Sequence, residues 1–178
     1  MTQELYQKAM KFAGEKHYNQ KVPGTNANYL LHISNVVMEV LVASNHDNSF
    51  DVNLAVQVAI LHDIIEDTDT SFEEIATVFG TEVAKGVLAL TKNETLTTKR
   101  EQMLDSLRRI NMLSKEVGLV KLADRITNLQ EPPKHWNQEK IKNYLEEATI
   151  IASELSEKNK YLNQRLLEKI ESYKKFLD

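Results

Sequence analysis

The sequence predicts an all-α fold, a compact single domain of seven to nine helices spanning residues 1–178. Gly and Pro are scarce, at 5 and 3 residues, which argues against a sandwich or a barrel. Apolar residues recur at the helical spacing along most of the chain, among plentiful Ala, Leu, Glu and Lys. A chain of 178 residues is long enough to bury a sizeable core, so the helices are expected to pack around one.

Each predicted helix has a local signal for its start or its end. The predicted helices cover residues 2–18, 29–45, 51–66, 71–80, 81–92, 98–115, 119–129 and one or two long stretches from 138 onward. The first carries an apolar stripe, and the Pro, Gly and Asn of "NQKVPGTNAN" end it. Ser71 with Glu74, and Thr98 with Glu101, have the spacing of capping boxes. Gly80 is suited to a helix C-terminus, and "EPPK" stops the helix before it because Pro cannot continue a helix interior.

Composition excludes several classes of site and partner. The chain has no cysteine, so disulfides and thiolate metal sites are excluded and any metal must be bound by nitrogen and oxygen. The net charge of −4 disfavours nucleic acid as a partner, although a small anionic ligand on a local cationic patch remains compatible with it. No apolar run reaches the roughly 18 residues of a membrane span, and "MTQELYQKAM" lacks a secretory signal core. We therefore expect a cytoplasmic protein with no membrane partner.

The segment "LHDIIEDTDT" places an ionisable cluster at the end of an apolar helix. His62, Asp63, Glu66 and Asp67 share an arc of about 140° on a helix, and the preceding "VNLAVQVAIL" is apolar nearly all round. Burying these charges without a partner is costly, and the helix dipole disfavours negative charge at a C-terminus. A bound cation would offset both costs. A frayed helix end with solvated acids and a core histidine is the alternative that the pattern leaves open.

Two further helices carry polar residues that interrupt apolar stripes. These are His32 in "YLLHISNVVMEVL" and Asp124 in "VKLADRITNL", and each alone is more often a satisfied core residue than a ligand. Together with His62 and Asp63 they form a mixed nitrogen and oxygen set that suits Mn²⁺, Fe²⁺ or Zn²⁺. A divalent ion there would lower the pKa of its water and make hydroxide available near neutral pH.

This order of motifs resembles the HD-domain metal-dependent phosphohydrolases, in particular the RelA/SpoT hydrolase domain and the small alarmone hydrolases. "LHDIIEDT" is similar to their HD and ED motifs, and "KLADRITNL" to their later Asp-Arg-x-x-Asn-Leu motif. "AGEKHYNQK" resembles their opening helix with its His-x-x-Gln. The likeness covers about residues 5–130, and helices over about 138–177 fit the compact single-domain members.

The resemblance implies a metal site and a reaction. It implies that the metal, usually Mn²⁺, is bound at His32, His62, Asp63 and Asp124. It further implies that Glu66 and Asp67 orient or deprotonate the water that attacks a phosphate. The implied reaction is removal of the 3′-diphosphate from (p)ppGpp, the alarmone of the stringent response, leaving GDP or GTP and pyrophosphate.

The same resemblance implies substrate contacts. Asn128 matches the family residue that contacts the nucleotide, whereas Arg125 could equally serve substrate binding or helix packing. Lys21, Lys99 and Arg100, with Lys92, are the candidates for neutralising phosphates, because the family uses cations from the corresponding loops.

The loop before His32 departs from the family pattern. Members usually carry an Arg-Lys pair there, but "QKVPGTNANYLLHIS" has Lys21 as its only cation, and Val22 or Pro23 stands where the base-stacking Arg is expected. One alternative is therefore an HD hydrolase of another phosphorylated nucleotide, such as a nucleoside phosphate or NADPH. A binding module that holds metal or nucleotide without turnover is a second alternative. The sequence also leaves open whether the C-terminal helices form a homodimer contact or only close the core.

Overall fold

The structure, a computed structural model, describes residues 2–177. Its α-helices are α1 (Gln3–Lys16), α2 (Leu30–His46), α3 (Val52–Leu61), α4 (Ile64–Asp67), α5 (Phe72–Phe79), α6 (Thr81–Leu90), α7 (Lys99–Asn111), α8 (Lys115–Asn128), α9 (Gln138–Glu154) and α10 (Lys160–Tyr173). A 3₁₀ turn, Lys174–Phe176, follows, and the described part of the chain forms no strand beyond an isolated bridge between Lys21 and Asn28. The all-α prediction is confirmed. With α3 and the single turn of α4 counted as the one helix that the sequence predicts, the described residues contain nine α-helices.

Helix α3 lies at the centre of the molecule, as its apolar sequence predicts. Every side chain from Leu54 to Leu61 is buried, and α3 packs against α1, α2, α6 and α8. Asp51 caps its N-terminus by accepting hydrogen bonds from the backbone N–H groups of Asn53 and Leu54, at 2.8 and 3.2 Å. The end of this buried helix therefore has to deliver its polar residues into the interior.

The prediction of a continuous helix over 51–66 is wrong in one respect, because the helix breaks at His62 and Asp63. The His62 ring Nδ1 contacts the carbonyl oxygen of Ala59 at 2.7 Å, the acceptor that the Asp63 N–H would use in an unbroken helix. Asp63 accordingly has φ −101° and ψ 1°, outside the helical region, and one further turn follows as α4. The break re-aims the side chains that follow it.

The predicted helix caps form, with one difference. At Thr98 the capping box is complete, since the Thr98 side chain accepts from the Glu101 N–H and the Glu101 carboxylate accepts from the Thr98 N–H. Ser71 accepts from the Glu74 N–H at 3.1 Å, but the Glu74 carboxylate binds Lys16 of α1 instead of closing the box. Glu74 thus ties α5 to α1.

The two C-terminal helices pack against α8, and α10 also contacts α2. Arg165 of α10 donates two hydrogen bonds to the Glu39 carboxylate of α2, both at 2.6 Å. Apolar side chains of both helices, including Ile151 and Leu162, join the core that surrounds α3 and α8. Within residues 2–177, no helix combines the length and the apolar composition that crossing a membrane requires.

Candidate metal centre and active site

Three separate segments bring two histidines and two aspartates together in what is called here the metal cluster. His32 comes from α2, His62 and Asp63 from the break after α3, and Asp124 from α8. The Nε2 atoms of His32 and His62 lie 3.2 Å apart, and Asp63 Oδ2 lies 2.9 Å from His62 Nε2 and 3.7 Å from His32 Nε2. Asp124 Oδ1 lies 3.5 Å from His32 Nε2 and 3.8 Å from His62 Nε2. The ligand atoms of His32, His62 and Asp124 all lie within 4.8 Å of one another, so one ion is within reach of all of them.

The hydrogen bonds of the cluster fit a cation at its centre. The Ala59 carbonyl oxygen can only accept, so His62 Nδ1 carries a proton, and Nε2, which faces the other three side chains, is the nitrogen that can bind a metal ion. Two imidazole nitrogens and two carboxylates aimed at one point in a buried site repel each other unless a proton or a metal ion lies between them. The donor set contains no sulfur, which favours borderline divalent ions.

Charge within the cluster shifts its pKa values in opposite directions. Burial opposes a charge on His62, but the carboxylates of Asp63 and Asp124 together outweigh burial and raise the pKa of His62 to about 9. Burial also opposes the charge of Asp63, yet His62 lowers the pKa of Asp63 to about 2. The pKa of Asp124 is held well below its usual range, against burial, by Lys121 and the two histidines. The carboxylates are therefore ionised at neutral pH and attract a positive charge.

Neighbouring side chains orient the two aspartates. The Tyr29 hydroxyl, which is buried, donates to Asp63 Oδ2. Asn128 Nδ2 donates to Asp124 Oδ1 at 2.5 Å, and Lys121 Nζ donates to Asp124 Oδ2 at 3.2 Å. Burial and the Asp63 charge together raise the pKa of Tyr29, so this hydroxyl stays a donor. Such partners fix ligand orientation and typically affect metal affinity or activity about 10–100-fold.

Glu66 is bound on both oxygens by one residue. Lys92 donates its backbone N–H to Glu66 Oε2 at 3.1 Å, and its ammonium group binds Glu66 Oε1. Although burial opposes it, the hydrogen bond and the charge of Glu66 raise the pKa of Lys92. Both residues line an open groove of about 570 Å³ between α4, α6 and α7. That volume falls in the range of small-molecule sites. Because Glu66 lines the groove, a ligand bound there would contact it.

Asp67 is exposed, with one oxygen bound by the protein. Gln20 Nε2 donates to Asp67 Oδ2 at 2.7 Å. Partial desolvation raises the pKa of Asp67, the hydrogen bond from Gln20 opposes this shift, and the carboxylates of Asp63 and Glu66 add to it. A carboxylate with a raised pKa is better suited to accept and return a proton near neutral pH than an ordinary surface aspartate.

The other predicted substrate residues are placed differently from one another. Lys21 and Asn128 are exposed, and so are Lys99 and Arg100, which begin α7. Arg125 is buried, and its contacts are with α9: its guanidinium lies 4.4 Å from the Tyr144 ring centroid, with Nη2 3.4 Å from Glu147 Oε2. The structure therefore leaves Lys21, Lys99 and Arg100 accessible to solvent and packs Arg125 against α9.

Sequence reasoning missed two residues of the cluster's surroundings, Tyr29 and Lys121. Both had a local signal, because each lies three residues before a candidate ligand and so one helical turn away from it: Tyr29 before His32, and Lys121 before Asp124. The contact between Gln20 and Asp67 had no local signal, since 47 positions separate the two residues.

Comparison with known proteins gives relatives along nearly the whole chain. The model of the HD domain family matches residues 9–159. MESH1 of Danio rerio, a guanosine-3′,5′-bis(diphosphate) 3′-pyrophosphohydrolase, is 33% identical over 162 residues, which cover 88% of this chain and 87% of that protein. The guanosine-3′,5′-bis(diphosphate) 3′-pyrophosphohydrolase of Aquifex aeolicus is 37% identical over 131 residues, which cover 71% of this chain but 18% of that longer protein.

A solved structure agrees with these relatives. It is that of a metazoan ortholog of SpoT that hydrolyses ppGpp and has a role in starvation responses. It superposes with a TM-score of 0.84 at 26% identity, covering 97% of both chains. The helical fold, the buried His and Asp cluster and the family match over residues 9–159 lead to one conclusion: the chain belongs to the HD domain family.

Proposed function

We propose that the protein is a Mn²⁺-dependent guanosine-3′,5′-bis(diphosphate) 3′-pyrophosphohydrolase. The observation that carries this proposal is the convergence of His32, His62, Asp63 and Asp124 beside an acid pair, Glu66 and Asp67. The activity of MESH1 from Danio rerio, which aligns along 88% of this chain, supports the choice of substrate. Because such nucleotides are intracellular metabolites, we also propose a cytoplasmic location.

In this proposal the two histidines and the two aspartates hold the divalent ion. Of the candidate ions, Mn²⁺ suits a set with two carboxylates and two imidazoles that leaves positions open, and Fe²⁺ and Zn²⁺ are the competitors. Bound there, the ion would lower the pKa of water, so that hydroxide is available to attack a phosphate near neutral pH. Tyr29 and Lys121 each occupy one aspartate oxygen and so restrict how the two carboxylates can rotate.

Glu66 and Asp67 have different roles in this proposal. Lys92 binds both oxygens of Glu66, so Glu66 is held as a fixed charge at the wall of the groove. Asp67 has only Oδ2 bound, by Gln20, which leaves Oδ1 for a proton from water. Positioned proton transfer of this kind contributes about 10²–10⁴-fold to a rate.

The proposed reaction consumes one water and releases two products. Water attacks the phosphorus attached to the 3′-oxygen of the ribose, and the bond between that phosphorus and the 3′-oxygen breaks. The 3′-oxygen leaves with a proton as the hydroxyl of GDP, and the diphosphate leaves as pyrophosphate. Lys21, Lys99 and Arg100 are exposed cations assigned to the phosphates, and Asn128 is assigned to the nucleoside.

A second candidate is hydrolysis of a different phosphorylated nucleotide, and the loop before α2 favours it. Val22 is half-buried against the core and Pro23 is exposed, so the loop presents Lys21 but no planar guanidinium for a guanine base. Lys cannot replace a stacked Arg without a change of geometry. The loop affects which base is recognised, whereas the metal cluster and the acid pair are the same for either substrate.

A release assay separates these candidates. We expect Mn²⁺-dependent release of pyrophosphate from ppGpp by the purified protein. We expect no release without a divalent ion, because without it the pKa of water is too high for hydroxide to form near neutral pH. The panel includes NADPH and common nucleoside phosphates, with Asp63→Asn as the blank. Phosphate release from another nucleotide, without turnover of ppGpp, would reject ppGpp as the substrate and support metal-dependent phosphate hydrolysis. No turnover of any compound would favour a binding module.

Metal affinity is expected to weaken as the pH falls. In the metal-free protein the pKa of His62 is raised to about 9, so at neutral pH the incoming ion must displace a proton from His62. The apparent affinity for Mn²⁺ should therefore decrease by up to about tenfold per pH unit below that value through this residue. Calorimetric titration in buffers of different ionisation enthalpy counts the released proton. An affinity that is flat between about pH 6 and 8 would contradict the assignment of His62.

A further inference from the structure

A row of buried rings connects the end of α1 to the metal cluster. The ring of His17 lies 5.1 Å from that of Tyr29, Tyr29 lies 5.2 Å from His32, and His32 lies 5.2 Å from His62, each between centroids. His17 ends α1 through its N–H to the Ala13 carbonyl and is 1% exposed. The His17 ring is therefore fixed by packing although it lies outside the cluster.

His17 holds the side-chain amide of Gln20 in one orientation. His17 Nδ1 and Gln20 Oε1 are 2.5 Å apart, and because an amide oxygen only accepts, the imidazole nitrogen is the donor. The other end of the same amide, Nε2, then faces Asp67 Oδ2 at 2.7 Å. The flipped amide would place its oxygen against the Asp67 carboxylate, which is repulsive. The chain of contacts thus has a single favourable direction, from His17 through Gln20 to Asp67.

The backbone of Gln20 is anchored on both sides, although the residue lies in a loop. Its N–H donates to the His17 carbonyl at 3.0 Å, and its carbonyl accepts from the Tyr29 N–H at 3.0 Å. Gln20 is half-buried. Side chains on anchored backbone hold a partner more precisely than those on free loops, which is the requirement for placing a catalytic carboxylate.

We propose that His17 and Gln20 are positioning residues that hold Asp67 Oδ2 and thereby direct Oδ1 at the attacking water. The proposal rests on the proposed function, since it assigns Asp67 the proton transfer. His17 Nε2 is buried and has no hydrogen-bond partner within residues 2–177, so the role of the ring is carried by Nδ1 and by its packing on Tyr29. Neither residue touches substrate or metal in this scheme.

The first test is kinetic. Gln20→Glu keeps the size of the side chain but sets an acceptor against Asp67, and we expect kcat for ppGpp to fall about 10–100-fold with KM and Mn²⁺ affinity unchanged. His17→Phe keeps the ring and removes the donor, and should lower kcat by a similar factor. His17→Asn places an amide N–H near the former Nδ1 and should restore most of kcat. Tyr18→Ala, at a neighbouring side chain that is 70% exposed, is the matched control.

A purely structural role predicts other results. It predicts that His17→Asn is as impaired as His17→Phe, or that KM and metal affinity change together with kcat, and either outcome overturns the proposal. Wild-type kcat in Gln20→Glu overturns it as well.

A second readout does not need turnover. The hydrogen bond from Gln20 opposes the raised pKa of Asp67, so Gln20→Ala should raise that pKa further, as followed by the carboxyl carbon resonance in nuclear magnetic resonance. Asp63, Glu66, His17 and Tyr29 are charged or titratable groups that face Asp67, and all remain in the variant. An unchanged Asp67 titration overturns the inference. A wild-type protein inert toward ppGpp with the expected Asp67 shift would reject the proposed function alone.

Discussion

Asp63→Asn is expected to abolish Mn²⁺ binding and, with it, turnover. Asp63 Oδ2 lies 2.9 Å from His62 Nε2 and accepts the Tyr29 hydroxyl, so this carboxylate is central to the cluster. Asparagine keeps the shape and removes the charge that balances the cation. Loss of a residue that only orients a ligand typically lowers metal affinity or activity about 10–100-fold. Loss of a ligand itself should therefore lower both the Mn²⁺ affinity and the rate by more than about 100-fold.

Metal titration and thermal unfolding measure this effect together. At an ion concentration of about 100 times Kd, binding should stabilise the wild-type protein by about 2.7 kcal/mol, and Asp63→Asn should gain nothing measurable. Asp69→Asn is the matched control, since the Asp69 side chain is 93% exposed and lies in the same acidic segment. Asp63→Asn with wild-type Mn²⁺ affinity would remove Asp63 from the ligand set.

Asp67→Asn is expected to retain Mn²⁺ binding and to lower kcat. The change removes the proposed proton acceptor without altering the four proposed ligands, so kcat should fall about 10²–10⁴-fold while the Mn²⁺ titration is unchanged. The asparagine oxygen still accepts from Gln20 Nε2, so the loop before α2 should remain in place. Steady-state kinetics at saturating Mn²⁺ gives kcat and KM separately.

Glu66→Gln provides the comparison for this second prediction. It removes the ion pair with Lys92 but leaves an amide oxygen able to accept the Lys92 N–H. Loss of Mn²⁺ affinity in Glu66→Gln would make Glu66 a metal ligand. Retention of full activity in Asp67→Asn, with inactivity of Glu66→Gln, would move the proton transfer from Asp67 to Glu66.

Local patterns predicted that the helices exist, because helix signals act over one or two turns. One break was predicted in the wrong place, since residues 116–118, expected between two helices, belong to α8. The capping residues Ser71 and Thr98 accept the expected N–H groups, and the buried character of α3 follows from its composition. The candidate ligands could be selected from the sequence because polar side chains are conspicuous within apolar stripes. His32, His62 and Asp124 converge, as the metal hypothesis required of them.

The remaining features depend on contacts between distant segments. No sequence window shows that the His62 ring takes the Ala59 carbonyl and breaks the helix, because the choice depends on the tertiary position of the ring. Glu74 illustrates the same limit, since Lys16, 58 positions away, competes for the carboxylate that would complete the capping box. Arg125 packs on the ring of Tyr144, which lies in α9. The sequence of α8 alone gives no sign of that contact.

The loop between α1 and α2 is closed at its base by the hydrogen bond from the Tyr29 N–H to the Gln20 carbonyl and by the bridge between Lys21 and Asn28. Gln20 and Tyr29 each bind an acidic residue of the site, whereas residues 22–27 lie beyond the closure. Insertions and substitutions in that tip are therefore expected to leave Asp63 and Asp67 in place. Substrate recognition by residues 22–27 can therefore change in evolution independently of the proposed hydrolytic site. Exchange of residues 22–27 between relatives is the corresponding engineering experiment.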